Sequence, residues 1–365
     1  MKIIRSSKCH FRHLTKTKKK KILILLVEYS KVVNFFIETF ENQIPEKKKF
    51  DLILAVEIHK CPFKNLTARL IKNAYQEGYD LVFSTKESCK ALEVPYKRPV
   101  HAGNTATLSC TIASIDLNPT TKEFDLNVTL ECIGNREKIS IPLKKHKQFN
   151  KWKEEGKLNS SIILRKNYIQ FSFDINIPPK KLEGKIIGID IGIKKLLATS
   201  EKEYLGIKIE SLIKKLHRKK RCSKAYYRCK EEIKEYICRM TKLLPWKELK
   251  LVVVEKLKNL KKNMKIKRRL SKNIRRVISN WNYKFVLKRI QMLSEEYCVS
   301  FRSVPPYFTS QICPDCNHRD KRNRVNQDLF KCQNCGYSDN ADYVGSKNIL
   351  DRFLTGPYGA CFKTF

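Results

Sequence analysis

The sequence predicts an α+β protein with several domains, and three patterns along its 365 residues support this prediction. Apolar residues recur at helical spacing near the N-terminus, and short segments rich in β-branched residues fill the middle of the chain. From Gly184 onward, segments with strand character alternate with segments of helical character. A chain of this length exceeds one ordinary hydrophobic core, so we expect two or three domains.

The N-terminal part is predicted to be a small helical unit that extends to about residue 97. Over residues 15–40 the apolar side chains share one face of a helix, and Pro45 ends it. A second helix is predicted for residues 66–76, with Gly78 near its end because glycine commonly follows the last helical turn.

The middle of the chain carries short segments that often alternate apolar and polar residues. Turn signals such as Asn118-Pro119 and Gly134-Asn135 separate them. Strands are predicted at residues 106–115, 123–133, 137–143, 160–166 and 168–175. This pattern indicates an antiparallel barrel or sandwich, and residues 178–181 are interpreted as the linker that leaves it.

After Gly184 the order of elements indicates an α/β layer with a mostly parallel sheet. The predicted strands are residues 185–191, 196–200, 251–255 and 299–304. The predicted helices are residues 211–241, 276–297 and 342–354. A cysteine-rich segment interrupts this unit before the final helix.

Four cysteines near the C-terminus form two Cys-x-x-Cys knuckles that are separated by fifteen residues. Cys313 and Cys316 make the first knuckle, and Cys332 and Cys335 make the second. Tetrahedral zinc takes four thiolates, and this spacing is typical of a zinc ribbon. A disulfide pair, or a chance coincidence of two knuckles, is the alternative. The rest of the fourteen cysteines show no pairing logic in this long chain, which favours a reducing compartment.

The charge balance predicts a polyanionic partner. Lysine and arginine number 76 against 36 aspartates and glutamates, which gives a formal net charge of +40. Because like charges repel in a compact protein, nucleic acid is the expected partner, and a generally basic surface is the alternative. Residues 16–27 join lysines to a six-residue apolar run, which is too short for a signal peptide or a membrane span, so no membrane partner is expected.

Three acidic residues stand where the pattern gives no structural reason for them. Asp190 lies in an otherwise apolar strand, Glu255 ends a second one, and Asp342 opens the last helix. Burying an ionised carboxylate is unfavourable unless a cation or hydrogen-bond donors compensate. Converging carboxylates can hold two divalent cations, and magnesium suits oxygen ligands. A strand-end cap or a loop position is the alternative for each acid taken alone.

The same residues carry a family resemblance. Asp190 in Gly-Ile-Asp-Ile-Gly, Glu255 in Val-Val-Val-Glu and Asp342 in Asn-Ala-Asp-Tyr-Val-Gly-Ser-Lys-Asn-Ile resemble the three split motifs of a RuvC-type nuclease domain. A second part of the resemblance lies in residues 305–313 and 323–327, with Phe330 and Cys332. These residues resemble TnpB, the transposon-encoded RNA-guided endonuclease related to type V CRISPR effectors.

The resemblance implies an N-terminal β-barrel, the wedge domain, with a helical recognition insertion, then an RNase H-like α/β RuvC domain with an inserted zinc ribbon. The implied boundaries are a first wedge strand at 1–14, the recognition region at 15–98, the β-rich wedge domain at 99–180, the first part of the RuvC-like domain at 181–307, the zinc ribbon at 308–338, the last RuvC motif and helix at 339–354, and a C-terminal tail at 355–365. One departure is Val344-Gly345-Ser346, where most relatives carry Asn-Ala-Ala. The small residues still permit close helix packing, whereas the amide at position 344 is lost.

The resemblance also implies the chemistry of the site. Asp190, Glu255 and Asp342 would be catalytic and would hold two magnesium ions, or manganese, while one structural zinc would bind the four cysteines. The implied partners are a guide RNA and a double-stranded target DNA, which would be cut by two-metal phosphodiester hydrolysis.

Basic residues near the acids are candidates for nucleic-acid contacts. Eleven of the 21 residues from 256 to 276 are basic, and phosphate contacts of this kind supply affinity without sequence information. The candidates are Lys261, Lys262, Arg268, Arg269 and, in the ribbon motif, Arg324. A solvated surface is the alternative for each. Tyr226 and Tyr227, in a second basic stretch at 214–230, either stack on bases or face the core.

We therefore expect an RNA-guided DNA endonuclease of the TnpB type, located in the cytoplasm and associated with the nucleoid in a prokaryote. Three alternatives stay open: a guided DNA-binding repressor of the same architecture, a DNA-joining transposase, and a zinc-ribbon adaptor without enzyme activity. The presence of all three acids argues against the repressor, and the strand-embedded Asp190 argues against the adaptor. The ribbon before the last acid favours TnpB over the transposase.

Overall fold

The computed structural model describes residues 2–42, 62–63, 66–91, 93–120, 123–131, 133–134, 137–256 and 280–356. The chain divides into two compact units, Met1–Asn176 and Ile177–Phe365. Both units combine helices with β-sheets, so the α+β prediction is confirmed at this level. None of the helices in the described part of the chain has both the length and the apolar character that a membrane crossing requires.

The first unit contains one strand, two long helices, and then a run of short strands that one helix interrupts. In chain order its elements are β1 (Lys2–His10), α1 (Lys16–Asn42), α2 (Ala68–Ala91), β2 (Thr105–Leu108), β3 (Ala113–Asp116), β4 (Leu126–Leu130), β5 (Ile139–Leu143), α3 (Lys147–Glu155), β6 (Gly156–Arg165) and β7 (Tyr168–Asn176). Helix α1 corresponds to the apolar repeat predicted for residues 15–40.

The two long helices pack against each other through aromatic rings. Tyr75 of α2 meets Phe36 and Phe40 of α1 edge-on, with ring centroids 5.0 and 4.9 Å apart. A Cβ at Gly78 would lie 3.1 Å from the Cβ of Phe36 and 3.3 Å from the carbonyl oxygen of Val33. The prediction that α2 ends near Gly78 is therefore wrong. This glycine lets the helices approach each other, and α2 continues through it.

The named strands of the first unit form two open antiparallel sheets. One sheet has the order β1-β7-β6-β2, and the other has the order β3-β4-β5. The expected barrel is therefore not closed, since no sheet in the described residues joins its first strand to its last. The predicted strand at 106–115 is broken by a turn in which the Ile112 N–H donates to the Ser109 carbonyl (3.0 Å). Its two halves, β2 and β3, consequently enter different sheets.

Helix α3 is absent from the sequence-based prediction. Its Phe149 is fully buried and packs edge-on against Phe171 and Phe173 of β7, with ring centroids 5.3 and 5.2 Å apart. The helix thus covers the apolar face of the four-stranded sheet.

The second unit alternates strands and helices around one larger sheet and ends in a small cysteine-rich hairpin and a helix. In chain order its elements are β8 (Lys185–Asp190), β9 (Leu197–Thr199), β10 (Tyr204–Leu205), α4 (Ile209–His217), α5 (Lys224–Lys242), β11 (Leu249–Glu255), α6 (Tyr283–Glu296), β12 (Ser300–Val304), a 3₁₀ turn (Lys321–Asn323), β13 (Leu329–Lys331), β14 (Ser338–Asn340) and α7 (Ala341–Thr355).

The larger sheet is mixed, with the strand order β10-β9-β8-β11-β12. Strands β8, β11 and β12 run parallel, whereas β9 and β10 pair antiparallel with their neighbours. The sequence-based prediction of a mostly parallel sheet holds for these three strands alone. The difference follows from loop length, because β8, β9 and β10 are joined by short turns and parallel strands need long crossovers.

The predicted helix at 211–241 is two helices. Helix α4 ends at His217, and α5 begins after Ser223, whose hydroxyl accepts a hydrogen bond from the Tyr226 N–H (3.1 Å). A serine N-cap starts a new helix because it satisfies a backbone donor of the first turn.

Alternate residues of β8 and β11 face two different apolar layers. Ile187 and Val252 lie in a buried cluster with residues of α4, α5 and α6. Leu251 and Val253 lie in a second cluster with Ile349 of α7. Since successive strand side chains point to opposite faces, α4, α5 and α6 cover one face of the sheet and α7 covers the other.

Candidate functional site

Asp190 and Glu255 lie at the same edge of the larger sheet. Asp190 is the last residue of β8 and Glu255 is the last residue of β11, and these neighbouring strands run parallel. Ile189 is in register with Val254, so the two acids follow at the same level. The carboxyl ends of parallel strands meet at one edge, where ligands commonly bind in such sheets.

Asp342 approaches this edge from the first turn of α7. The side chain of Asn340 caps this helix by accepting hydrogen bonds from the backbone N–H groups of Asp342 (3.1 Å) and Tyr343 (3.4 Å). The cap fixes the point at which the helix begins, and with it the position of the acid two residues later.

Two glycines permit a close approach between α7 and β8. A Cβ at Gly188 would lie 2.2 Å from the carbonyl oxygen of Ser346, which is a backbone clash. A Cβ at Gly345 would lie 3.1 Å from the Oδ2 atom of Asp190. A larger residue at Gly188 would push α7 away from the sheet, and Asp342 would move with it.

Burial disfavours the ionised form of each of the three acids, and for Asp190 the charges of the other two add to this effect. The pKa of Asp190 is raised to about 7, first by burial of its carboxyl group and then by the charges of Glu255 and Asp342. Burial also raises the pKa of Glu255 and the pKa of Asp342. Since an aspartate normally titrates near pH ~4, this edge of the sheet favours a bound cation or proton.

Two basic side chains face Asp342. The Lys195 Nζ lies 3.9 Å from Oδ2 of Asp342, and the Arg324 Nη2 lies 3.8 Å from Oδ1. The Lys195 Nζ also sits 3.8 Å from the centroid of the Tyr204 ring. Arg324 is a residue that the sequence analysis names, whereas Lys195 was missed. The feature that could have indicated Lys195 is its position in the tight turn after β8. In this turn the Gly192 N–H donates to the Leu196 carbonyl (3.3 Å).

Glu255 is held by two hydroxyl groups that the sequence analysis did not find. The Thr309 hydroxyl donates to the Oε1 atom of Glu255, and the Tyr283 hydroxyl donates to the backbone carbonyl of Glu255. Thr309 is buried and lies just before the first cysteine knuckle. No sequence pattern marks either contact, because both join residues that are far apart in the chain.

The four cysteines of the two knuckles come together. Their Sγ atoms all lie within 4.8 Å of one another, so the group could hold a metal ion. The Cys313 and Cys335 sulfurs are 3.6 Å apart, as are those of Cys316 and Cys332, which is too long for a disulfide bond. The His318 backbone N–H lowers the pKa of Cys316 to about 6, which favours the thiolate.

The unusual valine in the last motif packs against this cysteine cluster. Val344 is fully buried, in an apolar cluster with Cys313, Cys332, Phe330 and Ala341. The side chain at position 344 therefore makes an apolar contact between α7 and the cysteine hairpin, where a polar amide would need a hydrogen-bond partner.

The remaining predicted nucleic-acid residues divide into two groups. Lys261, Lys262, Arg268 and Arg269 lie outside the described residues. Of the two tyrosines in the second basic stretch, Tyr226 packs against the core and its hydroxyl donates to Asn280 (3.2 Å), whereas Tyr227 is 53% exposed.

A family model and several relatives match parts of this chain. Residues 283–349 match a family model described as "Cas12f1-like, TNB domain". The chain is 39% identical over 74 residues to the CRISPR-associated endodeoxyribonuclease Cas12f1 of Sulfoacidibacillus thermotolerans, covering 20% of this chain. It is 50% identical over 48 residues, or 13% of this chain, to the putative RNA-guided DNA endonuclease InsQ of Escherichia coli K12. The chain spans only 18% and 12% of the lengths of these two relatives.

Other similarities extend over most of the chain. A TnpB-like protein of Methanocaldococcus jannaschii is 26% identical over 234 residues, which cover 56% of this chain and 82% of that protein. The fold matches a structure titled "Cryo-EM structure of the Cas12f1-sgRNA-target DNA complex" with a TM-score of 0.54 and 15% identity, over 92% of this chain and 83% of that chain. It also matches the mini-RNA-guided endonuclease CRISPR-Cas_phi3 with a TM-score of 0.57 and 10% identity, over 95% and 92% of the two chains.

The chain has an α+β fold that it shares with these two solved structures, and it carries a four-cysteine cluster. The relatives that match parts of this chain are named Cas12f1, InsQ and TnpB-like proteins.

Proposed function

We propose that this chain is an RNA-guided DNA endonuclease of the TnpB type. The observation that carries the proposal is the meeting of Asp190, Glu255 and Asp342 at one sheet edge, where their burial and mutual repulsion raise the pKa of Asp190. A cluster of buried acids with a strongly perturbed pKa at one sheet edge favours a functional site. The names of the relatives support the same activity.

In this proposal Asp190, Glu255 and Asp342 hold two magnesium or manganese ions. The donor set fits, because it offers only carboxylate oxygens and carries a repulsion that cations would relieve. Among the described residues the three acids are not part of any group with all ligand atoms within 4.8 Å. The proposed arrangement is two ions about 3.5–4 Å apart. Such ions, when bound, activate water and stabilise the leaving oxygen of a phosphodiester.

Lys195 and Arg324 would attract the phosphate that is cut. Both charges face Asp342 at nearly 4 Å, so they partly offset the acids in the metal-free protein. With divalent ions neutralising the acids, the same two side chains would be available to a phosphate oxygen. Charges in a cleft of this kind add affinity and orientation without reading sequence.

The four cysteines would bind one structural zinc. Their sulfurs already lie close together, and the hairpin around them has only Phe330 and a few neighbours as an apolar core. In small ribbons of this type the metal supplies much of the folding free energy. Through Val344 the zinc-bound hairpin would brace the first turn of α7, which carries Asp342.

We also propose the domain roles that the family resemblance implies. Residues 15–98 would form the recognition region, and residues 1–14 and 99–180 the wedge domain. Residues 181–307 and 339–354 would form the RuvC-like nuclease domain, with the zinc ribbon at 308–338 and a C-terminal tail at 355–365. Guide RNA and double-stranded target DNA would be the partners, and the net charge of +40 supports contacts with both. We propose that Lys261, Lys262, Arg268 and Arg269 contact the phosphate backbone of the nucleic acid.

The experiment that tests this function separates binding from cutting. The Asp190→Ala variant should bind a guide and its matched duplex about as tightly as the parent, because the basic side chains are untouched. Its cleavage rate should fall by orders of magnitude, since the site loses a ligand of both ions. Binding curves and cleavage time courses are measured on one guide-matched duplex.

Normal cutting by the Asp190→Ala variant would remove this residue from the active site and refute the proposal. Joined DNA strands among the reaction products would instead favour a transposase. A parent protein that binds the guided duplex and never cuts it would favour a repressor.

A further inference from the structure

Glu255 differs from Asp342 in the groups that contact its carboxylate. Asp342 faces two basic side chains, whereas a neutral hydroxyl, that of Thr309, donates to Oε1 of Glu255. Thr309 is 5% exposed, so its hydroxyl has little access to competing water. Burial raises the pKa of Glu255 and the Thr309 hydrogen bond lowers it, which means that this bond favours the charged carboxylate.

Thr309 is itself fixed from the final helix. The side-chain amide of Asn348 donates one hydrogen bond to the Thr309 carbonyl (2.7 Å) and another to the Ile312 carbonyl (2.8 Å). Asn348 is 6% exposed, and an amide group has two N–H donors, so both are used here. A pair of buried bonds from one side chain holds the segment between Thr309 and Ile312 in one conformation.

This segment leads directly into the cysteine cluster. Ile312 precedes Cys313, and the Gln311 and Ile312 N–H groups both donate to the Phe308 carbonyl, at 2.9 and 3.2 Å. The turn is therefore closed by backbone bonds, anchored by Asn348, and attached at its end to the first knuckle. Its one side-chain hydrogen bond toward the acids is the bond from Thr309 to Glu255.

We propose that Thr309 is a positioning residue for Glu255, and that Asn348 and the cysteine cluster hold Thr309 in place. The inference rests on the proposed function, because it assigns Glu255 to a divalent-metal site. The Thr309 hydroxyl occupies one oxygen of the carboxylate and fixes its rotamer, which leaves the second oxygen directed to a cation. Mutation of a residue that hydrogen-bonds to a metal ligand typically weakens metal binding by roughly 10- to 100-fold.

Two substitutions at Thr309 distinguish the loss of its hydroxyl donor from a change in side-chain volume. Thr309→Val keeps the shape of the side chain and removes the donor, while Thr309→Ser keeps the donor and removes a methyl group. We measure Mn²⁺ binding by calorimetry on the whole 365-residue chain, with the cysteine metal retained. The Asp190→Ala variant defines the binding that does not belong to the acids.

The valine variant should bind Mn²⁺ at the acidic site at least roughly tenfold more weakly than the parent, and the serine variant should match the parent. The Mn²⁺ concentration for half-maximal cleavage should shift in the same order. The zinc content and the unfolding temperature of all three proteins should agree. A purely structural threonine would change the unfolding temperature and leave the Mn²⁺ affinity of the folded protein unchanged.

Equal Mn²⁺ affinities for the valine and serine variants would overturn the proposal. If Thr309→Val lowers the unfolding temperature, Thr309→Ala takes its place in the same comparison, because alanine removes the donor without placing a methyl group beside a carboxylate. A failed Thr309 prediction leaves the proposed function standing as long as Asp190→Ala still abolishes cleavage. Cleavage of DNA by the Asp190→Ala variant would refute both the role of Thr309 and the proposed function.

Discussion

The four cysteines and the three acids are neighbouring sites of one unit, and they are built in opposite ways. The cysteine sulfurs lie within 4.8 Å of one another around an apolar cluster that contains Phe330 and Val344. The acids stay further apart, and their charges are partly offset by Lys195 and Arg324. A closed set of four ligands is typical of a structural metal, and an open set is typical of a catalytic one.

The two sites share helix α7, which provides a direct structural connection between them. Asp342 and Val344 lie in its first turn, with Asp342 at the acidic edge and Val344 against the cysteines. Asn348, one turn later, holds the segment that leads to Cys313. We therefore expect a change in the cysteine hairpin to reach Asp342 through the helix and Glu255 through Thr309.

The largest expected effect is the different retention of the two metals. Exchange of the purified protein into metal-free buffer, without chelator, should leave about one zinc per chain and remove the divalent ions of the acids. Cleavage should stop completely and return when Mg²⁺ is added. Metal analysis by plasma mass spectrometry and a cleavage assay before and after exchange provide the test. Cleavage that persists in metal-free buffer would mean that the acids do not work through an exchangeable ion.

The next largest effect is expected when the four-cysteine site loses one ligand. Cys332→Ser removes one zinc ligand, so zinc content and the unfolding temperature should fall. Cleavage should drop on the order of 10²-fold, the cost expected when a reacting group is misplaced by about 1 Å. Cys110→Ser is the matched control, because Cys110 is exposed and free in the other unit. A Cys332→Ser protein with full zinc content and parental cleavage would show that the hairpin does not position the acids.

A smaller effect is expected from Lys195, which lies beside the three acids. Lys195→Ala removes a charge that competes with cations for Asp342, so Mn²⁺ should bind more tightly, by roughly two- to fivefold. Cleavage should fall, since the same charge would attract the phosphate. Lys185→Ala is the control, because its Nζ pairs with Glu248 at 3.1 Å, away from the three acids. Weaker Mn²⁺ binding by Lys195→Ala would mean that this lysine supports the ligands and does not compete for them.

The sequence predicted those parts of the site that depend on local pattern. An acid at the end of an apolar strand is visible because Asp190 interrupts β-branched neighbours, and the cysteine knuckles are visible from spacing alone. The first long helix and most strands of both units follow from periodicity in the same way. These features are set by residues within one turn or one strand of each other.

Features that depend on distant contacts could not be predicted. Gly78 has the local signature of a helix end, but its role is set by Phe36 on another helix. The open sheets of the first unit depend on which strands pair, and the turn at Ser109 that divides them resembles strand sequence. The bond from Thr309 to Glu255 joins residues 54 positions apart. Tertiary packing decides all three, and neither propensity nor spacing reports it.

We propose that the acids of β8, β11 and α7 form a divalent-metal site beside a separate zinc site. Anomalous diffraction from crystals grown with Mn²⁺, recorded at the zinc and manganese absorption edges, tests it directly. We expect one zinc peak among Cys313, Cys316, Cys332 and Cys335, and two manganese peaks between Asp190, Glu255 and Asp342. The absence of manganese from the acids, in crystals that show it elsewhere, would rule out a divalent-metal site at this sheet edge.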